Sequence, residues 1–529
     1  MATLTISPAI IVLGAIALLS VFVIIYLRFT SEFMNKGRFT KGIAITLALF
    51  VFLSFLQSII HAPKPDKIRI TVFPLIDIAY KQDTSWLCWA ISDQANSVLT
   101  KSFSADTLVY PIHWLYEAAD ADSFSDEKYL LQYAHRIKLD YAAFGSLQSD
   151  CDACSLRWAF VDIKRDSVIY RKSEAVAGAN KVAVGVRLAA DILKHFGKTS
   201  PEKPDHSFAS IEVVKFRTKA LQALSNKEYK KAADYAEQAY KADSTDVYTR
   251  NILSRVELHY ALYLDSEGKP SGMYRLIALK TSEGTILNYD STNAEAYRII
   301  GKYYILEKMW GKAEAKLKKA LELDPDNPRI YADYSRLHRS RMKSIGFKNE
   351  EQLLKYAFSL DPAFENARLQ LADYLYFNKW PSQAEKVIRQ LLAIHPTSIE
   401  AWLFLGRMAV GEHDIQKVIK TYNKILKIDP RNAEAYYNLG VFYYNSNDID
   451  NAERFFNRAV QVGNSLDAHL YLGHIYESQG LIDKAIEEYR LRIRFKKGFK
   501  DPYAEEARER LYILTHADSV LKTSNAKIK

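Results

Sequence analysis

The sequence lacks the short motifs that mark the common enzyme classes. It contains no GxxxxGKS/T phosphate loop, no GxGxxG after a predicted strand, no HExxH and no GxSxG. Its acidic residues and its 12 histidines are scattered along the chain and form no convergent set. We therefore expect that the protein is not an enzyme and that it carries no metal and no cofactor.

A dense basic face is also missing. The formal net charge is +10, but residues 1–65 hold five Lys and Arg against one acid, the segment 66–205 is slightly acidic, and the rest is mildly basic. Proteins that bind nucleic acids usually concentrate their positive charge on one face. We expect no nucleic-acid partner.

Cysteine is scarce, with three residues in the whole chain, and only Cys151 and Cys154 are close together. A CxxC spacing occurs in redox dithiols, in half of a zinc site and in locally bridged loops. This CxxC lies between two predicted strands and no second CxxC exists, whereas zinc needs four ligands. The spacing favours a local disulfide or two thiols over catalysis, and Cys88 lies in an apolar helix and is expected in the core.

Two long uncharged runs stand near the amino terminus. Residues 8–27 carry no charge, and residues 42–62 carry only the titratable His61. About 20 apolar residues in a helix span the core of a bilayer. These runs predict a two-helix membrane anchor over residues 1–65 that contacts the lipid bilayer through residues 8–62.

The orientation of this anchor is predicted from the positive residues near its ends. The short connection holds Arg28, Lys36, Arg38 and Lys41, whereas Lys64, Lys67 and Arg69 follow the second run. The connection holds one positively charged residue more than the segment after the second run, which favours a cytoplasmic loop. We therefore expect a two-pass protein of the bacterial inner membrane with its soluble domains in the periplasm.

Residues 66–200 alternate between strand-like and helix-like patterns. KIRITVFPL alternates as a strand does, and residues 85–103 show helical spacing of apolar residues. Three further strand-like segments and a closing amphipathic helix over 179–196 predict a small α/β domain. The opening ITVFPL and the block YAAFGSL…SLRWAFVDIKRDSVIYRK resemble the TolB-type amino-terminal domain and its CsgG-like relatives. That resemblance implies a non-catalytic, protein-binding module, with Gly145 as the family glycine and KRD in place of the expected turn glycine.

From about residue 207 the sequence repeats. One small residue recurs in the middle of each predicted first helix, at spacings of 34, 47, 34, 37, 34, 34 and 33 residues: Ala220, Ser254, Gly301, Ser335, Ala372, Gly406, Gly440 and Gly473. A second small residue follows twelve positions later in several units, as at Ala452. A helix–turn–helix unit of about 34 residues resembles the tetratricopeptide repeat.

This resemblance predicts about eight helical units over residues 207–500 and a capping helix and tail over 501–529. Such a unit cannot bury its apolar face alone, so neighbouring units stack. Gly440 is expected to let two helices approach closely, and Tyr436, Tyr443 and Phe456 to fill the space between units. The predicted fold class is thus α+β and multi-domain: two transmembrane helices, a small α/β domain and an all-α solenoid.

In proteins that the repeats resemble, the first helices line a concave groove that binds a partner. The expected lining positions are Arg298, Lys302, Arg336, Arg339, Leu369, Asp373, Tyr376, Leu403, Arg407, Tyr437, Val441, Tyr444, Leu470 and His474. The first four positions, Arg298, Lys302, Arg336 and Arg339, are all cations, and together they suit an acidic segment or a carboxyl terminus as ligand. They are equally consistent with solvated helix faces.

We therefore expect a membrane-anchored scaffold that recruits or assembles other proteins, such as membrane or envelope components, through this groove. Two alternatives stay open. The chain is otherwise a non-catalytic sensor or adaptor subunit of a membrane signalling system, or a structural subunit of a large membrane complex. A further alternative is an enzyme that uses Cys151 and Cys154 as a dithiol.

Overall fold

A computed structural model describes residues 67–77, 85–103, 107–111, 114–115, 126–150, 153–176, 183–199, 210–266, 268–412, 414–463, 465–494 and 501–526. All of these residues belong to one compact unit, Lys67–Lys529.

The two predicted membrane helices, at 8–27 and 42–62, lie outside the described residues. None of the helices within the described ranges combines the length and the apolar character needed to cross a bilayer. The structure is mostly helical, with a small sheet near the amino-terminal end of the unit. The fold class is therefore corrected to a mostly helical unit with a small sheet, and the described residues support neither the two transmembrane helices nor the localisation as a two-pass protein of the bacterial inner membrane. Neither is retained below.

Within the described ranges the sheet contains six strands: β1 (Ile68–Val72), β2 (Ile76–Asp77), β3 (Thr107–Val109), β4 (Tyr141–Asp150), β5 (Ala153–Asp162) and β6 (Ser167–Val176). Their order is β3-β1-β4-β5-β6, and β2 pairs with β4 beyond the end of β1. The pairs of β1 with β3 and with β4 are parallel, whereas β4, β5 and β6 form an antiparallel meander.

In the described part of this region, the sheet is accompanied by α1 (Ser85–Ser102), α2 (Glu127–Arg136) and α3 (Val184–His195). Helix α1 is fixed to β1 by the buried Asn96, whose side-chain amide accepts from the Val72 N–H and donates to the Val72 carbonyl, both at 2.8 Å. Phe73 stacks on Phe144 with ring centroids 5.1 Å apart. The sheet and its helices thus form a packed α/β layer, which we call the sheet domain.

The remaining helices form the solenoid. They are α4 (Ile211–Ser225), α5 (Tyr229–Ala242), α6 (Val247–Ser266), α7 (Gly272–Asn288), α8 (Ala294–Leu306), α9 (Trp310–Leu323), α10 (Pro328–Tyr334), α11 (Arg339–Lys343), α12 (Glu350–Leu360), α13 (Glu365–Phe377), α14 (Pro381–Ile394), α15 (Ile399–Gly411), α16 (Ile415–Ile428), α17 (Ala433–Asn445), α18 (Ile449–Gly463), α19 (Leu466–Ser478), α20 (Ile482–Arg494) and α21 (Pro502–Ala526). The first helices of successive units are α4, α6, α8, α10, α13, α15, α17 and α19. The short α11 interrupts the fourth unit, where the sequence has its 37-residue spacing.

Local sequence explains where the helices begin and end. Asn293 and Asn432 cap α8 and α17, and each side chain accepts from the backbone N–H three residues ahead. Several first helices are followed, two positions after their last residue, by a residue with positive φ, as at Lys308 (57°), Lys379 (64°) and Asn447 (60°). The left-handed conformation reverses the chain so that the second helix can pack back on the first.

The recurring small residues allow close helix approach. A Cβ atom on Gly440 would lie 2.6 Å from Cδ1 of the fully buried Phe456, and one on Gly473 would lie 2.4 Å from Cε1 of Tyr489. Real Cβ contacts do not reach such distances, so only glycine fits while these rings stay in place. The packing role predicted for Gly440 therefore matches the structure.

The sheet domain and the first solenoid units share one hydrophobic core. Residues of β1, α1 and α3 join residues of α4, α5 and α6 in a single buried cluster, which also reaches Ala363 and Ile394 farther along the solenoid. A shared core fixes the sheet domain against the solenoid, which is why the two form one compact unit.

Candidate partner-binding groove

The concave positions of the first solenoid unit are covered by the sheet domain. Three residues of α4, namely Arg217, Leu221 and Leu224, stand three positions before and one and four positions after the small residue Ala220. Arg217 is 8% exposed, and its guanidinium lies 3.8 Å from the Asp93 carboxylate of α1. Asp93 also accepts a hydrogen bond of 3.0 Å from the Tyr248 hydroxyl of α6. The groove face of this unit is therefore an internal surface of the protein.

Contacts between the sheet domain and the solenoid extend to residues at the carboxyl ends of helices in later units. Arg69 donates to the Ser359 carbonyl at 3.0 Å, and the Tyr110 hydroxyl donates to the Leu360 carbonyl at 3.1 Å. The Tyr133 ring lies 5.7 Å from that of His395. These contacts join the sheet domain to the carboxyl end of α12 and to the loop before α15.

A cavity of about 280 Å³ remains at this junction. Arg329 separates two of its aromatic walls, with its guanidinium carbon 5.0 Å from the ring centres of both Trp114 and Phe364. Lys227 and Glu400 form an ion pair at its border. The lining carries as many carboxylates as Lys and Arg side chains and so shows no preference for one sign of charge: Lys227, Arg255, Arg329, Asp361, Glu365 and Glu400.

The four cations predicted to line the groove, Arg298, Lys302, Arg336 and Arg339, differ in how deeply they are buried. Arg298 is 5% exposed and donates to Glu295 at 2.8 Å and to Asp333 at 2.6 Å. Burial alone would lower the pKa of Arg298, but the two carboxylates outweigh it and raise this pKa. Arg298 is therefore a structural cation between two units and is not available to a ligand.

Arg336 and Arg339 contact groups other than the two carboxylates that hold Arg298, and Lys302 is half-buried on α8. Arg339 is exposed and donates to the Lys348 carbonyl at 3.1 Å, within its own unit. Arg336 is exposed and interacts with two nearby carboxyls, Glu350 and Asp373. Burial raises the pKa of Glu350 to about 7, and it also raises the pKa of Asp373. The middle of the groove therefore has mixed charge, which does not favour an acidic ligand over a basic one.

The fifth and sixth units contribute a tyrosine ring and an arginine to the groove. Leu403 is buried, whereas Tyr376 is 41% exposed and lies 6.1 Å from the ring of Phe404. Arg407 is exposed, lies over the same Phe404 ring at 5.8 Å and approaches Glu434 at 3.7 Å. Of these predicted positions, Tyr376 and Arg407 thus reach the surface and Leu403 does not.

The last units bring the remaining predicted residues together. Tyr437, Val441 and Tyr444 follow one face of α17, and His474 stands on the neighbouring α19. All four are half-buried. The rings of Tyr437 and Tyr444 lie 6.0 and 5.3 Å from that of Tyr471, and the ring of His474 lies 6.4 Å from it. We call these five residues, Tyr437, Val441, Tyr444, Tyr471 and His474, the aromatic groove.

Tyr471 is the centre of this group and was absent from the predicted positions. It stacks on Phe456 with centroids 4.9 Å apart and planes at 13°. Its place, two residues before Gly473, is occupied by Asn438 and Phe404 in the preceding units. The repeat alignment assigns no groove role to that position, so the only sequence signal was the local density of tyrosine.

The capping helix closes one side of the aromatic groove. The Nε2 atom of His474 lies 3.4 Å from the Glu506 carboxylate of α21. Burial lowers the pKa of His474, and the charge of Glu506 acts in the opposite direction. At neutral pH the groove therefore offers aromatic rings, hydroxyl groups and an uncharged imidazole.

The predicted disulfide cannot be placed, because Cys151 and the side chain of Cys154 lie outside the described residues. The backbone of the β4–β5 hairpin pairs Ser149 with Cys154, so the CxxC lies at its tip. Cys88 is buried in α1. Among the described residues, no group of three or more His, Cys, Asp or Glu side chains could hold a metal ion.

The fold and the groove define a helical-repeat protein, and three family models agree. Each is described as a tetratricopeptide repeat, and they match residues 365–408, 421–454 and 466–495. The chain therefore contains tetratricopeptide repeats, which indicate a protein–protein interaction scaffold. All three matches lie in the solenoid, so they do not support the resemblance of residues 66–200 to TolB and CsgG-like domains, which stays a prediction.

Among curated proteins, a match covers 111 residues of the protein O-mannosyl-transferase Tmtc3 of Drosophila melanogaster at 29% identity. It spans 21% of this chain and only 12% of that relative.

Similar solved structures include a human IFIT1 dimer with PPP-AAAA, at 14% identity and a TM-score of 0.40, covering 65% of this chain and 79% of that chain. Pseudomonas aeruginosa pilF matches at 16% identity and a TM-score of 0.33 over 42% of this chain and 98% of its own. The APC/C hetero-tetramer Cut9-Hcn1 matches at 14% identity and a TM-score of 0.37, over 62% and 59% of the two chains.

Proposed function

We propose that this protein is a non-catalytic scaffold that recruits or assembles partner proteins, and that the aromatic groove is its partner-binding surface. The proposal narrows the predicted groove, which ran from the third unit to the eighth, to the last two units and the capping helix.

One comparison between equivalent positions carries this proposal. Tyr437, Val441 and Tyr444 of α17 occupy the same repeat positions as Arg217, Leu221 and Leu224 of α4. In the first unit these positions face the sheet domain and the cavity, and Arg217 and Leu221 are buried. In the seventh unit all three are half-buried. The protein covers one end of its concave face with its own domain and leaves rings accessible at the other end.

The chemistry of the aromatic groove suits a protein segment. Tyrosine combines a large apolar area with a hydroxyl group and loses little conformational entropy when it is covered, so it is enriched at interface hot spots. The packed rings of Phe456 and Tyr471 hold the exposed rings in place before a partner arrives. Such preorganisation lowers the entropic cost of binding.

A matched pair of variants tests the proposal. Tyr444→Ser removes a half-buried ring that packs on Tyr471, 5.3 Å away, and Tyr263→Ser removes a 38% exposed ring that packs on Tyr229, 5.1 Å away, outside the groove. The full chain and both variants would be recovered from the native cells, and the associated proteins would be quantified by mass spectrometry.

Removal of a hot-spot side chain costs more than about 1 kcal/mol, which is roughly a fivefold loss of affinity. We expect one or a few proteins to be depleted about fivefold or more with Tyr444→Ser and unchanged with Tyr263→Ser. An identical set of bound proteins with both variants, whose folding is checked by circular dichroism, would contradict the proposal.

A further inference from the structure

One long strand of the sheet domain has an open edge. Strand β6 lies at the end of the sheet and pairs with β5 on one side. Within the described ranges its other side pairs with no strand. Much of β6 is exposed, and it contains no proline. A free strand edge presents a row of backbone N–H and C=O groups that can pair with another chain.

A bulge sets the length of the regular part of this edge. Phe160 of β5 faces Tyr170, but the next residue, Val161, faces Val168, so Ile169 is an extra residue in β6. From Tyr170 to Val176 the pairing with β5 then runs without a shift. This regular stretch of seven residues has Ser173 at its centre.

We propose that two copies of this chain associate through antiparallel pairing of their β6 strands, with a two-fold axis at Ser173. In that arrangement Ser173 faces Ser173 of the second copy, and residues equally distant from it face each other. The regular stretch is used to its full length, and the two sheets become one continuous sheet. The interface has closed two-fold symmetry, as most homodimers do.

The charges on β6 are complementary in this register. Lys172 of one copy faces Glu174 of the other, and the two-fold axis generates the same pair again. Directly opposed side chains on neighbouring strands have Cβ atoms about 5 Å apart, which is within reach of an ion pair. A register shifted by two residues would place Lys172 opposite Lys172 or Glu174 opposite Glu174. The charge pattern therefore selects the register that the bulge also selects.

Residues of α3 that flank this pair are complementary as well. Lys172 binds Asp191 at 2.5 Å, and Glu174 binds Arg187 at 3.2 Å. In the dimer these four side chains and their copies would form a band of alternating charge with no net charge. Such a band favours association of two copies over like-charge repulsion.

Cysteine cross-linking in the full chain tests the geometry. Across the two-fold axis the Cα atoms of residue 173 would be about 5 Å apart, which permits a disulfide. Residue 171 faces residue 175 of the other copy, so two Arg171 positions would be about 14 Å apart, too far for a disulfide. We expect Ser173→Cys to form a covalent dimer under mild oxidation and Arg171→Cys to remain at the level of the parent chain, which supplies the background of the three native cysteines.

Charge reversal tests the register separately from folding. In the Ser173→Cys background, Lys172→Glu alone or Glu174→Lys alone would place like charges opposite each other. We expect each to lower the cross-linked yield about tenfold. A mixture of the two variants would again place a carboxylate opposite an ammonium group at both facing pairs of positions 172 and 174, and we expect it to restore the yield as a heterodimer.

The proposal is overturned if Ser173→Cys cross-links no better than Arg171→Cys. It is also overturned if the mixture of the two charge variants fails to recover the dimer while each variant retains the parent far-ultraviolet circular dichroism.

Discussion

The packing of Gly440 against Phe456 allows a quantitative test of how the repeats are held together. Gly440→Ala would place a Cβ atom 2.6 Å from Cδ1, 2.7 Å from Cε1 and 3.0 Å from Cγ of Phe456. These atoms belong to a rigid ring that is fully buried and stacked on Tyr471. The ring cannot rotate away, so the two helices must separate.

Two effects of opposite sign determine how much Gly440→Ala changes the unfolding free energy. Alanine favours a helix interior by about 1 kcal/mol relative to glycine. Overpacking of a dense core costs about 1 to 3 kcal/mol. We expect a net loss of unfolding free energy of up to about 2 kcal/mol for Gly440→Ala. The control Gly311→Ala lies in helix α9 with no atom within 4 Å of the added Cβ, so it should show the helix gain alone.

Urea unfolding followed by circular dichroism at 222 nm measures the difference. Gly440→Ala should unfold at lower urea than the parent chain, and Gly311→Ala at equal or higher urea. Adding Phe456→Leu to Gly440→Ala should recover part of the loss, because the smaller side chain makes room for the new methyl group. Equal stability of the two alanine variants, or no coupling between residues 440 and 456, would refute the close-packing explanation.

Three further predictions concern other parts of the structure. Burial raises the pKa of Glu257 to about 7, so the folded chain retains a proton that the unfolded chain releases above about pH 4.5. In urea titrations Glu257→Gln should have the unfolding free energy of the parent below pH 4.5 and exceed it by up to about 3 kcal/mol above pH 7. A difference that stays constant across this pH range would contradict the raised pKa of Glu257. Asp333→Ala leaves the buried Arg298 without one of its two partners and should lower the unfolding free energy by about 3 kcal/mol. The control Arg389→Ala breaks an exposed ion pair and should change the unfolding free energy by less than about 1 kcal/mol. Similar effects of the two variants in urea titrations would contradict the distinction between buried and exposed ion pairs. Lys379→Gly relieves a positive φ of 64° and should raise the thermal midpoint by the equivalent of about 1 kcal/mol, and an unchanged or lower midpoint would show that the turn is not strained.

The repeating part of the fold was predictable because its determinants are local. The spacing of small residues placed the first helices, and the glycines identified where helices touch, as Gly440 and Phe456 show. Each repeat contacts its neighbours in the chain, so the pattern of one unit carries most of the information needed to place the next.

The occupation of the groove by the sheet domain was not predictable in the same way. It depends on contacts between residues far apart in the chain, such as Asp93 with Arg217 and Tyr110 with Leu360. In the sequence, Leu221 and Leu224 are two more apolar residues of an amphipathic helix. Nothing in the repeat pattern shows that another domain covers them.

Burial also explains why a prediction from charge alone placed Arg298 among the groove residues that could bind a ligand. Arg298 was grouped with neighbouring cations because all of them occupy concave positions. Its partner Asp333 lies 35 residues farther along, about one repeat, where adjacent first helices bring the two side chains to 2.6 Å. A search for opposite charges one repeat apart would have identified this buried pair.

Site-specific photo-cross-linking at two equivalent repeat positions shows directly which end of the concave face a partner contacts. A benzophenone amino acid would replace either Tyr444 in the aromatic groove or Leu224, which lines the cavity beneath the sheet domain in the first unit. We expect partner adducts from position 444 in cells and none from position 224. Partner adducts at position 224 with none at position 444 would contradict this expectation.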